Sequence, residues 1–207
     1  MPRVKVARKS TAIDMTAMCD VAFLLLTFFI LTAKPKVEDP SKAEVPASTN
    51  EVQIPEDNVL MVSLGKGNKI FLGFSGNDVR TETLKAMGEK YGVPPFTPAE
   101  LNKFANTEIF GVPMKQMKQF LNTPSNELKN FSQDGIPADT TINNELSNWI
   151  ITARKANRGL HGKDYSIAIK GDRLEEYPAV STVLTVLGNQ KLFKYALITS
   201  LRAAPKK

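Results

Sequence analysis

Asp20 is the only charge within Met15–Ala33, a 19-residue run otherwise made of Leu, Phe, Ile, Val, Ala, Met, Thr and Cys. About 20 predominantly apolar residues cross a bilayer as a helix. A carboxylate at that depth costs a few kcal/mol or more, and such residues mark ion or proton paths. The chemistry on offer is gain and loss of H+, because removal from water favours the neutral carboxyl. In the neutral form the helix can pass an apolar wall; in the ionised form it is held opposite polar groups. Alternating exposure to two sides would then turn proton flow into rotation or displacement. A proton crossing the potential releases about 2.3 kcal/mol per 100 mV, comparable to moving one charge between two environments. At 100° per residue, Thr16, Thr27 and Leu31 fall within roughly 40° of Asp20. Thr16 and Thr27 are therefore candidates to hydrogen-bond the carboxylate or a relay water, although Thr27 can equally bond the carbonyl one turn back. Asp14 lies about 120° around the helix and six residues closer to the N-terminus. It reads as a solvated acid in the first turn beside Arg8 and Lys9, or as a second member of the path. A lone carboxylate suits H+ better than Na+, which wants several oxygens. The only cofactor implied is the transmembrane H+ gradient.

These groups need a helix across the membrane, expected over residues 12–34. Arg3, Lys5, Arg8 and Lys9 precede Asp14 without an acid, so the positive-inside rule puts residues 1–11 in the cytoplasm and the rest beyond the membrane. A cleaved leader also begins with basic residues and a 13-residue apolar core. Cleavage after Ala33 would want a small residue at Leu31, so the reading is an uncleaved single-pass anchor. A lone helix with this polar stripe leaves a carboxylate in hydrocarbon. With no second span in the chain, other subunits must surround it. Phe28, Phe29 and Ile30 offer apolar surface to lipid or to a partner.

The chain's 207 residues allow one ordinary domain besides the anchor. The net charge of +6 divides evenly: residues 1–34 hold five cations and two acids, and the remainder 22 basic and 19 acidic groups with the signs mixed. No basic stripe with interleaved aromatics occurs, so nucleic acid is not an expected partner. Cys19 is the single cysteine and His161 the single histidine. They exclude an intrachain disulfide and a two-cysteine metal site. His161, between Gly159 and Gly162, reads as a loop residue. A hydrolase would need a nucleophile with a base, and there is no G-x-S-x-G elbow; the chain is not expected to be an enzyme.

Pro35, Pro40, Pro46 and Pro55 deny helix and central strand over 35–58, which reads as an extended tether. A folded domain is expected over 59–203, followed by a short tail at 204–207. Leu60–Leu64 and Lys69–Phe74, joined by Gly65-Lys-Gly-Asn68, carry a hairpin signal. Residues 77–141 read as a helical insertion, a structural elaboration or docking surface, with helices near 79–90, 98–106 and 113–122. Thr97-Pro-Ala-Glu100 is a capping box with proline in the first turn. Leu146, Trp149, Ile150 and Ala153 follow helical spacing, with Trp149 as core anchor. A strand at 165–170, a helix at 178–187 and a strand at 192–200 complete the expected fold. This is a single transmembrane α-helix plus a small α/β domain, two-layered, with a mixed sheet and helices on one face.

Ile13-Asp-Met-Thr-Ala-Met-Cys-Asp-Val21 resembles the N-x-T-P-x-x-D-x-x start of the membrane helix of the ExbD/TolR family, with Ala17 in place of the proline and Asp14 where a neutral amide is common. Ile167-Ala-Ile-Lys-Gly-Asp172 is similar to its I-x-A-D strand, Tyr177-Pro-Ala-Val-Ser-Thr-Val-Leu to the Y-x-x-V-x-x-V-x helix, and Tyr195-Ala-Leu-Ile-Thr199 to the last strand. Val52-Gln-Ile-Pro55 is similar to the short strand ending the family's linker. The likeness covers roughly 1–75 and 142–203; the stretch 76–141 has no recognised counterpart. It implies an inner-membrane stator subunit with a periplasmic C-terminal domain. A pair of such helices, one from a second copy of the chain, would sit inside a ring of ExbB/TolQ-like polytopic subunits. The assembly would be driven by proton-motive force and act on a TonB-like transducer for outer-membrane transport, or in a TolR-like role in envelope integrity. A passive membrane-anchored adaptor is the reading from another class.

Overall fold

Leu60, Val62 and Leu64 alternate with Met61 and Ser63 along β2 (Val59–Gly65), and Ile70, Leu72 and Phe74 occupy alternate positions of β3 (Lys69–Phe74). Period-two spacing places each apolar set on one face of its strand, and all six side chains are buried. Gly67 and Asn68 turn the chain with φ of 77° and 60°, the left-handed region those two residue types tolerate. This is a computed structural model; it describes residues 15–33, 47–48, 58–124, 127–128, 131–139, 141, 143–171, 177–198 and 200–201. Two units result, 1–38 and 39–207.

In the first unit α1 (Met15–Thr32) is one unbroken helix of 18 residues, about 27 Å long at 1.5 Å per residue.

The second unit is built on a five-stranded mixed sheet, which also includes β4 (Ile109–Phe110), β5 (Ser166–Lys170) and β6 (Tyr195–Ile198) and is ordered β4-β3-β2-β5-β6. β2 is antiparallel to β3 and parallel to β5 (Ser166–Lys170), Val59 lying opposite Ser166. β5 is parallel in turn to β6 (Tyr195–Ile198). Parallel neighbours require crossover connections, and the helices α5 (Glu145–His161) and α6 (Tyr177–Asn189) lie on those connections. The expected last strand is divided: β6 ends at Ile198, and β7 (Ser200–Leu201) pairs in parallel with β1 (Ala47–Ser48). A two-residue strand therefore lies within the proline-rich stretch that reads as a tether. The resemblance at 52–55, and the tails at 1–11 and 204–207, lie outside the described residues.

The stretch 77–141 holds α2 (Asn77–Tyr91), α3 (Pro98–Ala105), β4 (Ile109–Phe110) and α4 (Met114–Asn122). Its helix bounds follow the sequence closely; β4 does not. Side chains supply partners to backbone groups that the ends of α3 and α4 leave outside the helical ladder. At α3 the capping box forms: Thr97 Oγ1 accepts from Glu100 N–H at 3.3 Å, and Glu100 Oε2 accepts from Thr97 N–H at 2.7 Å. α4 begins after Pro113 without a cap of its own. Instead Glu145 Oε1, from α5, accepts its Met114 N–H at 2.7 Å. At the other end Lys103 Nζ, from α3, donates to Leu121 O at 2.9 Å and to Thr123 O. An anion at the N-terminus and a cation at the C-terminus both oppose the helix dipole favourably.

This stretch shares the main core. Phe104 and Phe110 meet at 5.0 Å between ring centroids, Phe110 and Trp149 at 4.9 Å, and Phe74 closes on Phe110 at 6.4 Å. Trp149, fully buried as expected, thus ties α5 to α3 and to β4. β4 lies so close to β3 that a Cβ on Gly73 would come within 2.5 Å of Glu108 O; glycine is required there for backbone approach. Ile136 N–H then donates to Ile70 O at 2.8 Å. Residues 109–110 and 136 together occupy the outer edge of β3.

Candidate functional site

None of the residues of α1 is buried. Its length and composition suit a bilayer. Asp20 sits in its second turn, exposed, with Thr16 one turn before it and Thr27 on the same stripe. Thr27 Oγ1 donates to Leu24 O at 2.9 Å. The back-bond to the main chain thus forms, to the carbonyl three residues back instead of four. Thr32 Oγ1 donates to the carbonyl four residues back, Phe28 O, at 2.8 Å. Phe28 and Phe29 stack edge to face at 6.0 Å. Cys19 is a free thiol on the same helix. Asp14 lies outside the described residues. Among the described residues no three His, Cys, Asp or Glu side chains come together as a metal site would need.

A second polar constellation, at the start of β2, was not legible beforehand. Asn58 stands at the junction of the 35–58 stretch with the sheet, with φ of 62°. Asn58 Nδ2 donates to Asp164 O at 2.5 Å, and Asn157 Nδ2 donates to Asn58 Oδ1 at 2.7 Å and to Lys163 O at 2.9 Å. The Asp164 carboxylate is gripped by Arg154, whose Nε and Nη2 donate at 2.9 and 2.6 Å, and by Arg158. Tyr165 O–H donates to Ser75 O at 2.5 Å, and burial pushes its hydroxyl well above the usual range, so it remains a donor. His161 is the last residue of α5, not a loop residue. Gly162, in the left-handed conformation, is the helix stop. The His161 Nε2 lies 3.0 Å from Asp78 Oδ2 at the start of α2.

Hydrogen bonds from Arg154 hold the Asp164 carboxyl far below the ordinary carboxylate range, against the opposing effect of burial and with further help from Arg158. A carboxyl with a depressed folded-state value adds stability above its unfolded value, near 3.9, and loses it as pH falls below. The Asp164 side chain is 36% exposed, so solvent screening reduces the contribution to about 1 kcal/mol. Urea denaturation at pH 7 is expected to show Asp164→Asn less stable than the natural chain by that amount. The two curves should draw together progressively below about pH 4.

A family model described as Biopolymer transport protein ExbD/TolR matches residues 7–201. Searches of curated proteins and of solved structures returned no match.

Proposed function

Because the chain belongs to the ExbD/TolR family, whose members are inner-membrane transport accessory proteins and not enzymes, we propose that it is the single-pass subunit of a motor driven by proton-motive force, with Asp20 as the proton carrier. One observation carries this: a single carboxylate sits in an apolar 18-residue helix with no buried residue. Hydrocarbon does not tolerate that carboxylate alone, so a protein or water-lined surround is needed. Polytopic subunits of the ExbB/TolQ type and the helix of a second copy are the surround that family membership suggests. The N-terminal cations favour a cytoplasmic start, with the sheet domain in the periplasm.

In the ionised state Asp20 holds the helix opposite polar groups of the ring. Protonation from one side removes the charge and lets the helix pass the apolar wall, and release to the other side restores it. Thr16 lies beside this stripe and is the hydroxyl we assign to steadying the carboxylate or a water. Thr27, whose proton is directed at Leu24 O, stands about 10 Å along the helix from Asp20 and retains lone pairs to accept from a relay water. Asp14 is assigned no step beyond collecting protons at the helix entrance. The motion passes along residues 35–58 to the sheet domain and from there to a TonB-like periplasmic transducer. A TolR-like role differs only in ring partner and client.

The test is coexpression with the polytopic subunit of the same system. A motor subunit should co-purify with it in detergent, and a thiol reagent should label Cys19 in the isolated chain but not in the complex. Failure of the two to associate, with the chain functional on its own, would leave the passive-adaptor reading in place.

A further inference from the structure

If force from the membrane helix reaches the folded domain through residues 35–58, it meets the two-residue β1–β7 pair first, and once that short pair yields it falls on Asn58, where the stretch joins β2. We propose that the Asn58–Asn157–Asp164 constellation is a mechanical clamp, which prevents the sheet from peeling open at its loaded corner; the inference rests on the motor reading above.

The geometry follows from strand order. β2 is a central strand, parallel to β5 and antiparallel to β3, so its first residue, Val59, lies beside the first residue of β5 and its second, Leu60, opposite the last of β3. A pull along β2 loads its pairs with both neighbours at once. A sideways pull opens them singly, starting at Val59, and that first step is the weak one. Side chains reinforce this point. Asn58 O accepts from Ser166 N–H at 3.0 Å, and Asn58 Nδ2 reaches Asp164 O, tying the incoming chain to β5. Ser75 Oγ accepts from Val59 N–H at 3.0 Å, and Ser75 N–H donates to Val59 O at 3.1 Å, tying it to β3. Asn157, buried on α5, fixes Asn58 from the helical layer. Arg154 and Arg158 then hold Asp164, whose carbonyl Asn58 grips, through charge-assisted bonds. The corner is thereby pinned to β3, to β5 and to α5 together. Asn58 itself has a left-handed backbone, which Asn tolerates and which turns the chain into the strand.

Asn58→Gly is the clean variant, because glycine keeps that backbone and removes both side-chain bonds. The full chain in lipid nanodiscs is pulled by optical tweezers in two geometries, with handles at Lys42 and Lys194 or at Lys115 and Lys194. Through Lys42 the variant should unfold roughly tenfold faster at a given force, the effect of losing one or two hydrogen bonds. Through Lys115 the change should be less than twofold. Asn157→Ala should show the same asymmetry. Equal acceleration in both geometries, or none through Lys42, would overturn the clamp and mark these residues as ordinary stabilising contacts. No proton gradient is needed, so this result is separate from that of the Asp20 variant, which tests the motor itself.

Discussion

Asp20→Asn is expected to leave the chain expressed, membrane-inserted and bound to its ring, yet to bring gradient-dependent activity down to that of uncoupler-treated cells. Asparagine matches the size of aspartate and keeps hydrogen-bonding capacity, so helix packing should survive. It lacks the titrating proton, so nothing couples the potential to the helix. The effect should be all-or-none, because each proton is worth about 2.3 kcal/mol per 100 mV and no other group on the stripe can carry it. Proton flux into vesicles holding the reconstituted complex, and energised uptake in cells, are the two readouts. Full activity in this variant would end the proton-carrier assignment. Asp14→Asn in parallel separates an entrance role, which should slow flux only partially, from an essential one.

Trp149→Ala should cost the sheet domain about 3–5 kcal/mol, the range for removing a large buried aromatic. Ordinary domains have only 5–15 kcal/mol in total, so the variant is expected to be unfolded or close to it at 37 °C. The reason is positional. Trp149 stacks on Phe104 at 5.9 Å and meets Phe110 at 4.9 Å, so truncation empties the point where α5, α3 and β4 converge. Circular dichroism is the appropriate probe, since Trp149 is the only tryptophan. Trp149→Phe should recover more than half of the loss. An insertion independent of the core would instead let α3 and α4 melt while the sheet persisted, giving two transitions.

Elements whose residues carry their own instructions were legible. The β2–β3 hairpin declares itself through alternation and Gly67-Asn68, α3 through its capping box, and α5 through four apolar residues at helical spacing. Asp20 stands out in the sequence because a bilayer imposes a one-dimensional constraint, and one acid within an apolar run violates it; its role as proton carrier is the proposal that Asp20→Asn tests. β4 was not, since Ile109-Phe110 is too short to alternate and exists because β3 offers an edge with Gly73 in it. His161 was misread because two glycines bracket it; Gly159 lies within α5 and only Gly162 adopts a positive φ. The clamp residues, at 58, 157 and 164, join solely through tertiary structure, and no local pattern links them.

The pairing of Val59 with Ser166 has a kinetic corollary. Its two partners are 107 residues apart along the chain, so the central parallel contact closes a long loop, and non-local pairings of this kind slow folding. Lengthening a loop adds only logarithmically to its entropy, on the order of 0.6 kcal/mol per doubling. The intervening helices can also gather through near-neighbour contacts before the ends meet. The aromatic junction would then act as a nucleus that brings α5, and β5 behind it, within reach of the waiting hairpin.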